Sequence, residues 1–178
     1  SIKELIALAK ARPGELNYAS TATGATNHVA AELFKAMAGV NIVRINYKGG
    51  AQAVTDLMAG QLHLMFGSAG VVTPHIKSGR LRALAVASAE RSALAPGLPT
   101  VAAASLPGYE SSQLTGIFAP AKTPAAIIKR LNQEIVRALN RAEVKERLFN
   151  SGIEVVASSP EEFAATIKSE MTRMDKVI

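Results

Sequence analysis

Ser20, Thr21, Thr23, Gly24, Thr26 and Asn27 crowd small hydroxyl and amide groups around one glycine, and His28 follows directly. Groups of this kind hold anions and polar ligands by hydrogen bonding, whereas nucleophilic or acid–base chemistry needs a base or acid placed beside them. Leu16 to Ala19 is short and apolar-biased and follows Pro13-Gly14, so it reads as a buried strand. Asn27 to Ala38 reads as a helix, with Val29, Leu33, Phe34 and Met37 on one stripe and Gly39 as its stop. A strand that feeds a hydroxyl loop into a helix N-terminus makes an anion site. The first amides of the helix lack internal partners, and the macrodipole places positive potential there. The same loop also suits plain capping with no ligand, and taken alone it leaves both readings open.

Two further loops have the same character, and the elements around them must bring them together. Ile42 to Ile45 reads as a second strand. It leads into Asn46-Tyr47-Lys48-Gly49-Gly50 and then a helix over Ala51 to Ala59. Leu62 to Phe66 reads as a third strand running into Gly67-Ser68-Ala69-Gly70. A short or kinked helix containing Pro74 follows, over Val71 to Lys77. Leu81 to Ala87 is apolar nearly throughout and reads as a central fourth strand. Alternation at this spacing predicts an α/β fold with a parallel sheet. Ligands in such sheets sit beyond the carboxyl ends of the strands, where strand order reverses. Convergence of three small, polar or glycine-rich loops there is stronger evidence than any one of them.

Other chemistries lack their parts. His28, His63 and His75 are far apart in sequence, with no carboxylate at ligand spacing, so no metal site is expected. There is no G-x-S-x-G elbow for a hydrolase. Gly49-Gly50 and Gly67-x-x-Gly70 fall short of a dinucleotide or Walker fingerprint, so no cofactor is expected. Cysteine is absent, which removes disulfides and thiolate chemistry. The net charge of +6, from 20 Lys and Arg against 14 Asp and Glu, favours anionic partners. Nucleic acid is not expected, because the basic residues are scattered and aromatics make up only 4%. The 178 residues, 48% of them hydrophobic, suffice for one domain or two small lobes. Mean hydropathy is +0.17, and no apolar run is long enough to span a bilayer. The chain opens on Ser1, and no signal peptide is visible.

The flanking segments carry clear punctuation. Ser1 and Glu4 fit a capping box for a helix reaching about Arg12. Thr100 caps a short helix through Ser105, and Leu114 to Phe118 reads as a strand. Thr123-Pro124 starts a helix with Ile127, Ile128, Leu131, Ile135 and Leu139 as its stripe. A second helix opens at Asn140 and Glu143, with Glu143 and Arg147 as an i,i+4 pair, and Glu154 to Val156 reads as a short strand. Ser159-Pro160-Glu161-Glu162 is the clearest helix start. Phe163, Ile167, Met171, Met174 and Ile178 carry that helix's stripe to the end.

The order of these motifs resembles the Bug-type, TctC-like receptors, the extracytoplasmic solute-binding proteins of tripartite tricarboxylate transporters. The matching residues run from Glu4-Leu5-Ile6 through Leu16-Asn17-Tyr18-Ala19-Ser20, Gly24 with His28, and Glu32-Leu33-Phe34. Tyr47-Lys48-Gly49, Asp56-Leu57, Met65-Phe66 and Gly79-Arg80-Leu81-Arg82-Ala83-Leu84-Ala85-Val86 continue the series. So do Pro107-Gly108-Tyr109-Glu110, Leu131-Asn132, Arg147-Leu148 and Ser159-Pro160-Glu161-Glu162-Phe163. The resemblance implies a periplasmic-binding-protein-like, two-lobed Venus flytrap of α/β class, located in the periplasm and without catalysis. It implies that 1–118 is ligand-binding lobe two and that 119–178 is a carboxy-terminal segment crossing back to lobe one.

The implied ligand is a small organic anion, a carboxylate, and the implied partners are membrane transporter subunits. Carried over by position, Ser20, Thr21, Thr23, Gly24 and Asn27, with Thr26 and His28 on the first turn of the helix, form one side of the cleft. Gly67, Ser68 and Ala69 line it, and Tyr47 and Lys48 lie near its rim. Three departures stand out. The family's amino-terminal segment, with the first strands of lobe one, lies outside this chain. Gly67 follows Phe66 where the family often has an acidic residue, and Leu114 stands where it often has tryptophan. The first departure predicts exposed apolar stripes from Ile127 and Phe163 and a homo-oligomer through those helices. Two rival readings therefore stay open: an oligomeric interaction module that binds no ligand, and a small-molecule α/β enzyme using His28.

Overall fold

A computed structural model describes residues 1–174, leaving out the side chains at 173 and 174; the expected stripe positions Met174 and Ile178 fall outside that description. The chain forms two compact units, residues 1–113 and 114 onward.

The first unit opens with α1 (Ile2–Ala11). Ser1 Oγ accepts the Glu4 N–H and Glu4 reaches back to the amino terminus, so the expected capping box forms. Three strands follow: β1 (Asn17–Ser20), β2 (Val43–Asn46) and β3 (Leu64–Met65). They make one sheet in the order β2-β1-β3, and both pairings are parallel. Tyr18 lies opposite Arg44 and Ala19 opposite Ile45 on one side, and Tyr18 opposite Leu64 on the other. The connections are α2 (Thr26–Ala38), between β1 and β2, and α3 (Gly50–Met58), between β2 and β3; α4 (Ala69–Lys77) follows β3. The α/β class with a parallel sheet, expected from the alternation, is what forms.

Period-2 alternation along β1 divides the packing. Tyr18 points toward α2, where its hydroxyl meets Glu32. Ala19 points the other way, into a cluster with Ala53 of α3 and Leu62, backed by Tyr47, Leu57 and Met65. The two helices therefore cover opposite faces, and the chain crosses from one side of β1 to the other between β2 and β3. Phe34 of α2 is fully buried, tilted against Phe66 and edge-on to Tyr109. The Tyr109 hydroxyl donates to Ala30 O at 2.9 Å inside α2, which ties the segment after α5 (Val101–Ala104) onto that helix. Gly39 takes φ 61°, a left-handed stop that an L side chain would resist.

Three expected strands do not form. Leu81 to Ala87 forms one isolated bridge, Val86 with Thr100, and Ser111 N–H donates to Ala87 O. An apolar run says that a segment wants burial, but a strand also needs a neighbour to complete its ladder. Among the described residues none lies along 81–85, and those residues are only partly buried or exposed. Leu114 to Phe118 and Glu154 to Val156 carry no ladder for the same reason. The third strand shortens to Leu64–Met65, because it pairs only with the middle of β1.

The second unit holds α6 (Ala125–Leu139), α7 (Ala142–Asn150) and α8 (Pro160–Met174). Ser159 and Glu162 form the expected reciprocal capping box at 2.8 and 3.1 Å. Glu143 pairs with Arg141, at 3.5 Å. Phe163 of α8 stacks tilted on Phe118 and lies against Gly116. No described residue of this unit reaches the buried class; Ile117, Phe118 and Val156 are 73%, 74% and 84% exposed.

Candidate functional site

Parallel pairing fixes where the three loops go. All three strands run the same way, so the turns after β1, β2 and β3 leave one edge of the sheet, and a helix begins at each. The order β2-β1-β3 reverses at β1, which is the topology that opens a crevice at the carboxyl ends of adjacent strands. The three helices share a second property. The N-caps of α2, α3 and α4 are Ala25, Gly49 and Ser68, and none makes a side-chain cap bond. The helices that begin after Ser1, Thr100 and Ser159 are capped by those side chains, whereas those that begin after Pro124 and Arg141 in the second unit also lack a side-chain cap. It is therefore the placing of three such starts at one edge of the sheet that sets α2, α3 and α4 apart. Among the described residues, the first amides of α2, α3 and α4 at Thr26, Gly50 and Ala69 have no protein acceptor. Unsatisfied amides at three neighbouring helix starts make a region of positive potential open to an anion.

The turn after β1 is built tightly. Ala25 N–H donates to Ala22 O at 3.0 Å, and Gly24 sits at φ 80°, a conformation suited to glycine. Asn27 turns back, its Oδ1 accepting from Thr21 Oγ1 at 3.1 Å and from Thr21 N–H at 3.4 Å. His28 Nδ1 accepts the Gly24 N–H, so in the neutral ring the proton sits on Nε2. Burial holds His28 below its ordinary value, helped by the charges of Arg44 and Lys35 and opposed by Glu32. Thr23, Gly24 and Thr26 are exposed on the outer side of this turn.

Arg44, in the middle of β2, completes the turn, and sequence reasoning passed it over. Alternation puts its side chain on the face of Tyr18 and Ser20, since it lies opposite Tyr18 in register. Its Nε donates to Ser20 Oγ at 2.6 Å and its Nη1 to Thr23 Oγ1 at 3.0 Å. Its Nη2 donates to Thr21 O at 2.8 Å and to Asn46 Oδ1 at 3.2 Å. The available signal was a lone charge between Val43 and Ile45 in a short apolar strand. Below it, Tyr18 OH donates to Glu32 Oε1 at 2.6 Å, and Lys35 Nζ donates to both oxygens of Glu32. Desolvation pushes the Glu32 carboxyl up, and the Tyr18 and Lys35 bonds outweigh it, so the net direction is down.

The other sequence-singled residues divide. Gly67 and Ser68 are exposed, and Ala69 opens α4. A Cβ on Gly67 would come within 2.5 Å of Val72 Cγ1, so no larger residue fits there without a shift. Tyr47 is tied inward: its N–H donates to Ser20 O at 2.8 Å and its hydroxyl to Asp56 Oδ2 at 2.8 Å. That second bond raises its phenol above the ordinary value. Lys48 is exposed beside it. Among the described residues, no cluster of His, Asp or Glu could hold a metal ion, and no helix is long and apolar enough to cross a membrane.

The sequence model of the tripartite tricarboxylate transporter family receptor matches residues 1–178. The chain belongs to that family. A relative from Pseudomonas sp. strain P51, described as the UPF0065 protein in the tcbD-tcbE intergenic region, is 39% identical over 99% of this chain and 53% of its own length. Among solved structures, an R. palustris protein with adipate superposes at TM-score 0.88. It is 36% identical over 99% of this chain and 59% of that one. The periplasmic binding protein BugD follows at 0.78, with 31% identity over 97% and 58%. MatC from Rhodopseudomonas palustris with bound malate gives 0.82, with 27% identity over 98% and 60%. The fold of this receptor-family chain is thus that of periplasmic solute-binding proteins. The chain spans about half the length of the first curated relatives it matches.

Proposed function

We propose that the chain supplies one wall of the ligand cleft of an extracytoplasmic, periplasmic receptor for a small organic anion bearing a carboxylate, which hands its ligand to membrane transporter subunits. In this reading 1–118 is lobe two and 119–178 is the segment that crosses back to lobe one. The observation that carries it is the set of three helix N-termini without side-chain caps at one sheet edge, with the exposed hydroxyls of Thr23, Thr26 and Ser68 among them. The buried Ser20 hydroxyl and the Thr21 hydroxyl are held by Arg44 and Asn27 and shape the turn behind them. Asn27 and His28 hold the first turn in shape, and Gly24 gives that turn its left-handed bend with its N–H held by His28. Gly67 and Ala69 let backbone amides approach the ligand, and Tyr47 and Lys48 stand at the rim. Adipate and malate in structural relatives support a carboxylate as the ligand class. Receptors of this family bind and release; no catalytic role is assigned to His28.

Calorimetric titration with adipate and malate, beside their neutral diamides, tests the proposal. Heat from the acids alone is the expected result; no heat, or equal heat from the diamides, overturns it. A second reading, an oligomeric module that binds no ligand, draws on the exposure of Ile117, Phe118, Val156 and Met171 in the second unit. Sedimentation of a stable monomer would remove it.

A further inference from the structure

We infer that Arg44 makes the turn after β1 selective for a carboxylate, through the Thr23 hydroxyl that it orients, through its own uncompensated charge and through its one unused N–H. The inference rests on the proposed anion-binding function and adds to it the residue that would set charge selectivity.

The guanidinium offers five N–H groups in a fixed fork. Four are used, on Ser20 Oγ, Thr23 Oγ1, Thr21 O and Asn46 Oδ1. All four acceptors are neutral, and among the described residues no carboxylate forms an ion pair with Arg44. A half-buried cation held only by dipoles keeps its full charge for whatever approaches, and here it is bonded to Thr21 and Thr23 in the turn that leads into the helix starting at Thr26. The contact also settles what Thr23 can do. An oxygen that accepts from a guanidinium turns its own proton away from it, and that polarisation strengthens the hydroxyl as a donor. Thr23 is exposed and its Oγ1 is bonded to Nη1, so its proton is free to turn to solvent close to the fifth N–H, the second hydrogen on Nη1. Two donors on adjacent atoms suit the two oxygens of one carboxylate better than a single carbonyl. A lysine here would keep the charge but could not reach four acceptors in different directions.

The test measures adipate affinity, its dependence on salt, and the preference for adipate over its diamide. It compares the wild-type chain with Arg44→Gln, Arg44→Lys and Thr23→Val, each checked for an unchanged thermal midpoint. Arg44→Gln is expected to weaken adipate at least tenfold and to flatten the salt dependence. Arg44→Lys should keep the salt dependence and lose part of the affinity. Thr23→Val, an exposed near-isosteric change that stands in should Arg44→Gln fold poorly, should weaken adipate severalfold with the salt dependence kept. Wild-type affinity and salt slope in Arg44→Gln, or wild-type affinity in Thr23→Val, overturn the inference while leaving the anion-binding function standing. Failure of the wild-type chain to bind any carboxylate overturns both.

Discussion

His28 Nδ1 accepts the Gly24 N–H at 3.2 Å, so the first turn of α2 clasps the turn that precedes it. The bond requires an unprotonated Nδ1. Burial lowers the His28 pKa, Arg44 and Lys35 lower it further, and Glu32 opposes them. A group lowered on folding contributes stability that is complete above its unfolded value and is lost as pH falls through the folded one. Histidine NMR should therefore show His28 titrating below an ordinary imidazole, with the Gly24 amide shifting in step; titration at or above the ordinary value would contradict the clasp. Arg44→Gln should move the His28 titration upward.

Glu32 joins β1 to α2 by accepting from Tyr18 and Lys35. Replacing it with alanine leaves a buried phenol without its acceptor, at a cost of about 1–2 kcal/mol. Its net pKa is lowered, so its contribution is present above the ordinary carboxylate range and fades as pH drops through the folded value. Urea midpoints at neutral and acidic pH should converge for wild type and Glu32→Ala. A gap that persists in acid would assign the effect to packing instead.

Phe34 and Tyr109 anchor the segment after α5 to α2 through different physics. Phe34→Ala removes a fully buried ring and should cost about 3–5 kcal/mol. Tyr109→Phe keeps the ring and drops only the bond to Ala30 O, so about 1 kcal/mol is expected. Equal losses in chemical denaturation would mean that the Tyr109 bond to Ala30 O counts for as much as the whole Phe34 ring.

Gly67 leaves no room for a side chain against Val72. Gly67→Ala should lower stability by about 1–3 kcal/mol, the usual cost of overpacking. Gly67→Asp should add a loss of carboxylate affinity by placing a negative charge at the sheet edge. Equal ligand affinity in the alanine and aspartate variants would show that the edge is indifferent to charge.

Local signals in the chain determined the helices. The Ser1–Glu4 and Ser159–Glu162 boxes, the Thr100 cap and the Gly39 stop act within one turn of backbone, so residue types at fixed offsets suffice to read them. The alternation of short apolar runs and amphipathic helices likewise determined a parallel α/β sheet, and the motif order pointed to the family. Strands are not local. Leu81 to Ala87 and Leu114 to Phe118 have strand-like composition, yet a ladder forms only where another segment supplies the matching groups, and register lies in no single stretch. Arg44 was hidden for the same reason. Only the pairing of Tyr18 with Arg44 puts a guanidinium within reach of Ser20 and Thr23, residues more than twenty positions earlier, because hydrogen bonds depend on distance in space.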